Sequence, residues 1–207
     1  MTSTVDICNL ALTRLGHKMI TSLVENTKAS ELCTLHYPMS RDAVLRAHPW
    51  NFAISRATLA LSSTIPNHEF SYRHALPSDC LKVIRTNWEA DGSAGAAVYG
   101  FPGIMGGTWD IMEYRLEGRF IASNETTVKI EYVARIEDTT QFDTLFTDML
   151  AQRLAAELSM SLTDNQAATK TMWDIYSAKL TEARLMDAQE GTPRDVVDVS
   201  PWLTARV

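Results

Sequence analysis

Five histidines are the residues of this chain best able to move protons or bind a metal ion at neutral pH. They are His17, His36, His48, His68 and His74. A zinc protease would pair two histidines as HExxH, and many serine hydrolases place their nucleophile in a GxSxG turn. The sequence contains neither pattern and no HxH pair. We therefore interpret the histidines as surface or hydrogen-bonded structural residues.

Three cysteines, Cys8, Cys33 and Cys80, are spaced too widely for a CxxC or a Cys/His zinc motif. Their odd number also argues against a disulfide-stabilised fold. Free cysteines are among the most frequently buried residues of proteins. We expect all three to be reduced and mostly buried, and we predict no metal and no cofactor.

Residues 89–110 contain six of the nine glycines, as a phosphate-binding loop would. They fit neither GxGxxG nor GxxxxGK[ST], and no helix pattern follows that could hold a phosphate at its N-terminus. Two alternatives remain, a flexible hairpin loop and an interaction loop. The second would bury the apolar side chains of the segment against a partner. These side chains are Tyr99, Phe101, Ile104, Met105 and Trp109.

Asp110, Glu113 and Glu117 are the nearest approach to a set of catalytic carboxylates. Glycoside hydrolases use two carboxyl groups that flank the bond they cleave. Glu113 and Glu117 would share one face of a strand only if the strand stayed regular between them. A solvated strand face is the simpler interpretation, and a polysaccharide hydrolase is the alternative function that stays open.

The net charge of the 207-residue chain is −6 at pH 7, which disfavours non-specific nucleic-acid binding because such binding needs clustered Lys and Arg. Residues 1–56 carry a net charge of +2, whereas residues 138–190 carry −5. The sequence contains no run of 18 apolar residues and no signal-peptide pattern. We expect no membrane span, and a protein that stays in the cytoplasm in which it is made.

Apolar residues recur at helical spacing near both ends of the chain. Residues 4–15 predict a helix with Thr4 as its N-cap and Gly16 as its stop. Residues 143–162 and 165–188 predict two longer helices, the second with Trp173, Tyr176, Leu180 and Ala183 on one face.

Residues 28–47 predict a further helix with Thr27 as its N-cap. Pro38 lies inside this segment and should cause a kink or separate two helices, because proline removes a backbone hydrogen bond. We expect the buried stripe of the segment to consist of Leu32, Leu35, Met39 and Ala43.

The apolar period changes to that of strands between the helical segments. Residues 56–62, 80–85 and 128–133 are strand candidates, and residues 112–115 and 119–122 flank a hairpin turn. The sequence thus predicts an α+β fold. An antiparallel helical bundle is built from both chain ends, and a small antiparallel β-sheet or barrel is inserted at its middle.

The predicted domains follow from this order of elements. Residues 1–56 and 138–188 form the helical bundle domain, and residues 57–137 form a β domain that includes loop 89–110. Residues 189–207 form an extended C-terminal tail that is polar but contains Trp202. Trp202 either folds back onto the core or anchors the tail to a partner, since aromatic residues are frequent hot spots of interfaces.

Several segments carry a resemblance to a known family. The chain reads DICNLALTRLG at 6–16, LHYPMSRDAVLR at 35–46 and HPWNFA at 48–53. It also reads YRHALPSDCL at 72–81, AAEL at 155–158 and WDIY at 173–176. These segments resemble the head-to-tail adaptor proteins of tailed bacteriophages, in particular the tail tubular protein A type of short-tailed phages.

The resemblance implies a non-enzymatic virion protein of the phage neck that forms a dodecameric ring below the portal. DNA passes through the ring without sequence-specific binding. The β domain faces tail or nozzle proteins. From its apolar side chains, and not from the resemblance, we expect loop 89–110 to be tail-facing or to lie between subunits. The C-terminal segment docks on the portal through its apolar side chains. These are Val196, Val197, Val199, Pro201, Trp202 and Leu203.

Overall fold

The structure is a computed structural model that describes residues 3–86 and 113–190. Within these ranges the chain has a mixed α+β fold with four helices and two small antiparallel sheets. Two helices come first, seven strands follow, and two helices end the described chain. The predicted α+β class is therefore confirmed.

The first helix, α1, spans Thr4–Arg14, within a residue of the prediction. Its N-cap is Ser3 and not Thr4, because Ser3 and Asp6 form a capping box. The Ser3 hydroxyl accepts the Asp6 N–H at 3.2 Å, and the Asp6 carboxylate accepts the Ser3 N–H at 2.8 Å. Gly16 ends the helix as predicted, with a φ of +68° that glycine adopts without strain.

The second helix, α2, spans Lys28–Ala47, and Thr27 caps it as predicted. It is one helix and not two, although Pro38 lies inside it. Pro38 removes the N–H that would bond to the Thr34 carbonyl. Both residues are exposed, so water can supply the missing donor.

The predicted buried stripe of α2 was wrong for Leu35 and Met39, whereas Leu32 packs against the main core as predicted and Ala43 is half-buried. Leu35 is 63% exposed and Met39 is 71% exposed, and both lie on the side of the helix that faces solvent. The side of α2 that packs inward mixes small, polar and apolar residues. Its buried residues are Ala29, Ser30, Cys33, Tyr37, Ser40, Arg41, Val44 and Leu45.

The last two helices are α3, Thr144–Thr163, and α4, Gln166–Gln189, each within two residues of its predicted bounds. Two residues connect them. Asp164 adopts the left-handed conformation, with a φ of 50°, and the Asn165 side chain caps α4. The predicted inner face of α4 is confirmed, because all four of its residues belong to or pack against the main core.

The main hydrophobic core surrounds α3, which contacts each of the other three helices. The side chain of Phe146 is fully buried at the start of α3. Trp50 and Phe52 pack edge-to-face on it, with ring centroids 5.4 and 5.0 Å away. Because Trp50 and Phe52 directly precede the first strand, this aromatic cluster fixes where the β region begins.

The seven strands form two sheets where we expected a single sheet or barrel. The three-stranded sheet has the order β1 (Ile54–Thr58), β7 (Lys129–Ala134) and β4 (Cys80–Thr86). The four-stranded sheet has the order β2 (Ala60–Leu61), β3 (Tyr72–Ala75), β6 (Phe120–Ser123) and β5 (Tyr114–Glu117). The hairpin predicted around Gly118 is confirmed as β5–β6.

Strand β7 contributes to two hydrophobic cores. Val133 belongs to the core around α3, whereas Ile130 and Tyr132 belong to a second core with Ile121 of the four-stranded sheet. The three-stranded sheet therefore has the helices on one face and the other sheet on its second face. The domain limits that we placed at residues 56 and 137 stay a prediction.

Replacing Phe146 by alanine should lower the free energy of unfolding by about 3–5 kcal/mol, because it leaves a cavity between α3 and the aromatic cluster. Met160→Ala on the exposed side of α3 is the control and should cost less than about 1 kcal/mol. Urea denaturation of both variants measures the difference. Equal losses would mean that Phe146 does not anchor the core.

Candidate interaction surface

Two of the histidines, His74 and His48, form contacts that hold parts of the fold together. His74 is fully buried, and its Nε2 lies 2.9 Å from the Glu125 carbonyl. His48 Nε2 lies 2.9 Å from Asp187 Oδ2 and so ties the end of α2 to α4. Within residues 3–86 and 113–190, no group of three or more His, Cys, Asp and Glu side chains is placed to hold a metal ion.

All three cysteines are free and buried, as predicted. Cys8 of α1 contacts Cys33 of α2, and their hydrogen bond together with burial raises the pKa of the Cys8 thiol. Burial also raises the pKa of Cys80. A buried thiol with a raised pKa is a poor nucleophile, so Cys8 and Cys80 serve packing.

Most of the interface residues predicted from the sequence lie outside the described ranges. The portal-docking set, Val196, Val197, Val199, Pro201, Trp202 and Leu203, follows residue 190. The loop set, Tyr99, Phe101, Ile104, Met105 and Trp109, lies between residues 86 and 113. Both sets stay predictions, and the candidate surfaces described below are independent of them.

The carboxylates of the hydrolase alternative are not side by side on one strand. Glu113 is exposed and precedes β5, while Glu117 ends β5 and lies 3.7 Å from Arg73. Asp110 lies outside the described residues. Glu117 forms an ion pair with Arg73 across the sheet. The hydrolase alternative stays a prediction.

An ion cluster around a buried carboxylate, which sequence reasoning missed, crosses the three-stranded sheet. The Glu131 side chain of β7 is only 5% exposed and lies between Arg56 of β1 and Arg85 of β4. Arg56 approaches it at 3.3 Å, and Arg85 donates to the other carboxylate oxygen. Such a cluster ties three strands in register, since losing one partner would leave a buried charge uncompensated.

A second ion cluster joins three helices through Asp148 of α3. Arg14 of α1 donates to its side chain and, at 2.8 Å, to its backbone carbonyl, and Lys179 of α4 donates to its second carboxylate oxygen. Burial opposes the charge of Asp148, but the two cations outweigh it and hold its pKa below the ordinary 3.8. The carboxylate thus stays ionised throughout the neutral range.

One exposed apolar surface on the helices is a stripe along the outer side of α2, which we call the α2 stripe. It consists of Leu35, Pro38 and Met39, with Lys28 at one end and Arg46 at the other. Residues 28, 35, 39 and 46 lie along one line of the helix because their spacings of seven and four follow its period. Exposed apolar patches of this kind mark interaction sites when they are contiguous.

A smaller set of exposed apolar residues lies at the edges of the four-stranded sheet. Tyr114 and Leu116 are exposed on the edge strand β5, and Leu61 and Ile65 are exposed at or beyond β2 on the other edge. An edge strand offers backbone groups and side chains to a partner. Because this sheet packs on the face of the three-stranded sheet away from the helices, the set is distinct from the α2 stripe.

Comparison with models of protein families and with curated protein sequences found no match. None of the helices in the described parts of the chain combines the length and the apolar character that crossing a membrane requires.

Asp148→Asn should remove a pH-dependent part of the stability. Because the pKa of Asp148 is lowered in the folded chain, the ion cluster stabilises the fold above pH 3.8 and ceases to do so as the pH falls through the folded value. The difference from wild type should be under about 1 kcal/mol at pH 7, since Asp148 is 41% exposed, and should shrink towards pH 2.

Denaturant unfolding at a series of pH values measures this difference. Glu113→Gln is the matched control, because Glu113 is exposed at the surface. The assignment fails if Asp148→Asn and wild type differ equally at pH 7 and at the acid end.

The double substitution Leu35→Ser and Met39→Ser should change the free energy of unfolding by less than about 1 kcal/mol, because neither side chain belongs to the core. It should reduce the fluorescence of a bound hydrophobic dye, since it removes exposed apolar area. Val44→Ser on the buried side of the same helix should cost more than about 2 kcal/mol. A double variant as unstable as Val44→Ser would show that the α2 stripe packs inside the subunit.

Proposed function

We propose that this protein is a structural subunit of a phage virion, a head-to-tail adaptor whose copies form a ring between portal and tail. In this proposal, the four helices form one antiparallel bundle in which α1, α2 and α4 surround α3. The β region faces tail or nozzle proteins, and the segment after residue 190 docks on the portal. The subunit has no catalytic role, and the genome passes through the ring.

The α2 stripe is the observation that carries the proposal. The main core is already closed around α3, so Leu35 and Met39 are not needed to complete the fold. A ring subunit must present such surfaces to its neighbours, because ring closure needs head-to-tail contacts between unlike faces. The stripe also lies in the segment 35–46, which is one of those that resemble the adaptor family.

The charge of the chain supports a role as a conduit. Exposed acidic residues of this part of the chain include Asp138, Asp164 and Glu190, and the net charge of residues 138–190 is −5. An acidic wall attracts no DNA phosphate and would let the genome pass. We propose that part of this acidic region lines the channel, and the exposed residues of the four-stranded sheet provide a separate surface for the tail.

Co-sedimentation with the portal ring of the same phage tests the function. We expect the full-length chain to bind in ring stoichiometry and a chain ending at Glu190 to lose most of this binding, because the docking residues follow residue 190. A full-length Trp202→Ala, Leu203→Ala variant separates loss of the anchors from loss of length and should bind weakly.

The controls give each result a meaning. If all three chains bind equally, the protein is an adaptor but the docking segment is not the tail. If none binds, the adaptor proposal is overturned, and reducing-end release from capsular polysaccharide becomes the next assay. If the Trp202→Ala, Leu203→Ala variant binds fully while the chain ending at Glu190 does not, the docking belongs to other residues of the tail.

A further inference from the structure

The outward face of α4, which we call the α4 face, is built differently from the α2 stripe. Residues spaced by three and four along this exposed side are mostly small, and a large apolar side chain occurs towards the end of the helix at Leu185. The α4 face consists of Ala167, Thr171, Asp174, Ala178, Thr181, Glu182 and Leu185. Small side chains let another helix approach closely, so the face can accept the large side chains of the α2 stripe.

The charges of the two surfaces are opposite. Lys28 and Arg46 each donate to a backbone carbonyl, and within the described residues neither lies within 4.0 Å of a carboxylate. Asp174 and Glu182 are exposed, and neither forms an ion pair in the part of the chain that the structure describes. Lys170 is the exposed cation on α4, so the acidic residues outnumber it.

The charges of the two surfaces are arranged around their centres in the same way. Lys28 and Arg46 are 18 residues apart, about 27 Å along a helix, and lie on either side of Leu35 and Met39. Asp174 and Glu182 are 8 residues apart, about 12 Å, and lie on either side of Ala178. A partner helix centred on the α2 stripe therefore places one acidic residue inward of each cation, at an axial distance of about 7 Å that the long Lys and Arg side chains can span.

Each of the two helices packs on α3 through the side opposite to its named surface. The inward side of each helix joins the main core, and hydrogen bonds link the two helices at one end, where Ala47 and His48 meet Arg184 and Asp187. The α2 stripe and the α4 face therefore point away from the core and are not used on each other. One subunit cannot pair them, but two subunits can.

We propose that the α2 stripe of one subunit packs against the α4 face of a second copy of this chain. Leu35 and Met39 pack over the small residues near Ala178, and Lys28 and Arg46 face the acidic groups of the neighbour. This contact is heterologous, so each subunit keeps one unused surface of each kind until a ring closes. The inference rests on the proposed ring-forming function and names the surfaces that form the ring.

Charge reversal tests the contact with the full-length chain. One variant carries Lys28→Glu and Arg46→Glu, and the other carries Asp174→Lys and Glu182→Lys. In either variant alone the two surfaces carry the same sign, so self-association measured by sedimentation should weaken at least tenfold. In an equal mixture each variant meets a complementary partner on both sides, and association should return to the wild-type level.

A control variant, Lys18→Glu with Lys82→Glu, makes the same change in net charge as Lys28→Glu with Arg46→Glu, but at exposed residues off both surfaces, and should associate like wild type. The inference is overturned if wild type stays monomeric at every concentration, if a single reversal associates normally, or if the mixture does not recover. Recovery in the mixture also excludes misfolding as the cause of the loss.

Portal binding separates this inference from the function it rests on. If the mixture rescues self-association but no chain binds the portal, the contact stands and the adaptor role fails. If portal binding occurs in ring stoichiometry while the two reversals have no effect on self-association, the adaptor role stands and the contact between α2 and α4 fails.

Discussion

The burial of α3 is the interaction on which the rest of the structure depends. Its apolar residues are covered by α1 and α2 from the N-terminal part of the chain and by α4 from the C-terminal part. The aromatic cluster on Phe146 extends this core to the start of β1, and Val133 extends it to the central strand of the sheet. The positions of the β region and of the outer surfaces follow from these contacts.

Electrostatics reinforce the same arrangement at two levels. Asp148 joins three helices at the partly exposed end of their contact, where solvent limits its contribution. Glu131 joins three strands inside the sheet, where an unpaired charge would be costly. Both clusters fix which residues of neighbouring elements lie opposite one another.

The helices whose apolar residues form one stripe, α1, α3 and α4, were predictable within two residues, and so was the hairpin at Gly118. The orientation of α2 was only partly predictable, because apolar residues occur on more than one side of this helix and Leu35 and Met39 face outward. Strand β3 was not predicted, because it is short and its central residues, Arg73 and His74, do not give the apolar alternation typical of a strand. The role of Glu131 depends on the register of three strands that are distant in sequence.

The position of α3 late in the sequence has a consequence for synthesis on the ribosome. Arg14 and Asp148 are 134 residues apart, so α1 and α2 emerge long before the helix that covers their apolar sides. Until α3 is made, Ile7, Leu12 and Leu45 have no core to join, and the nascent chain exposes them. Such long-range contacts slow folding. The first two helices can therefore complete their packing only after α3 has been synthesised.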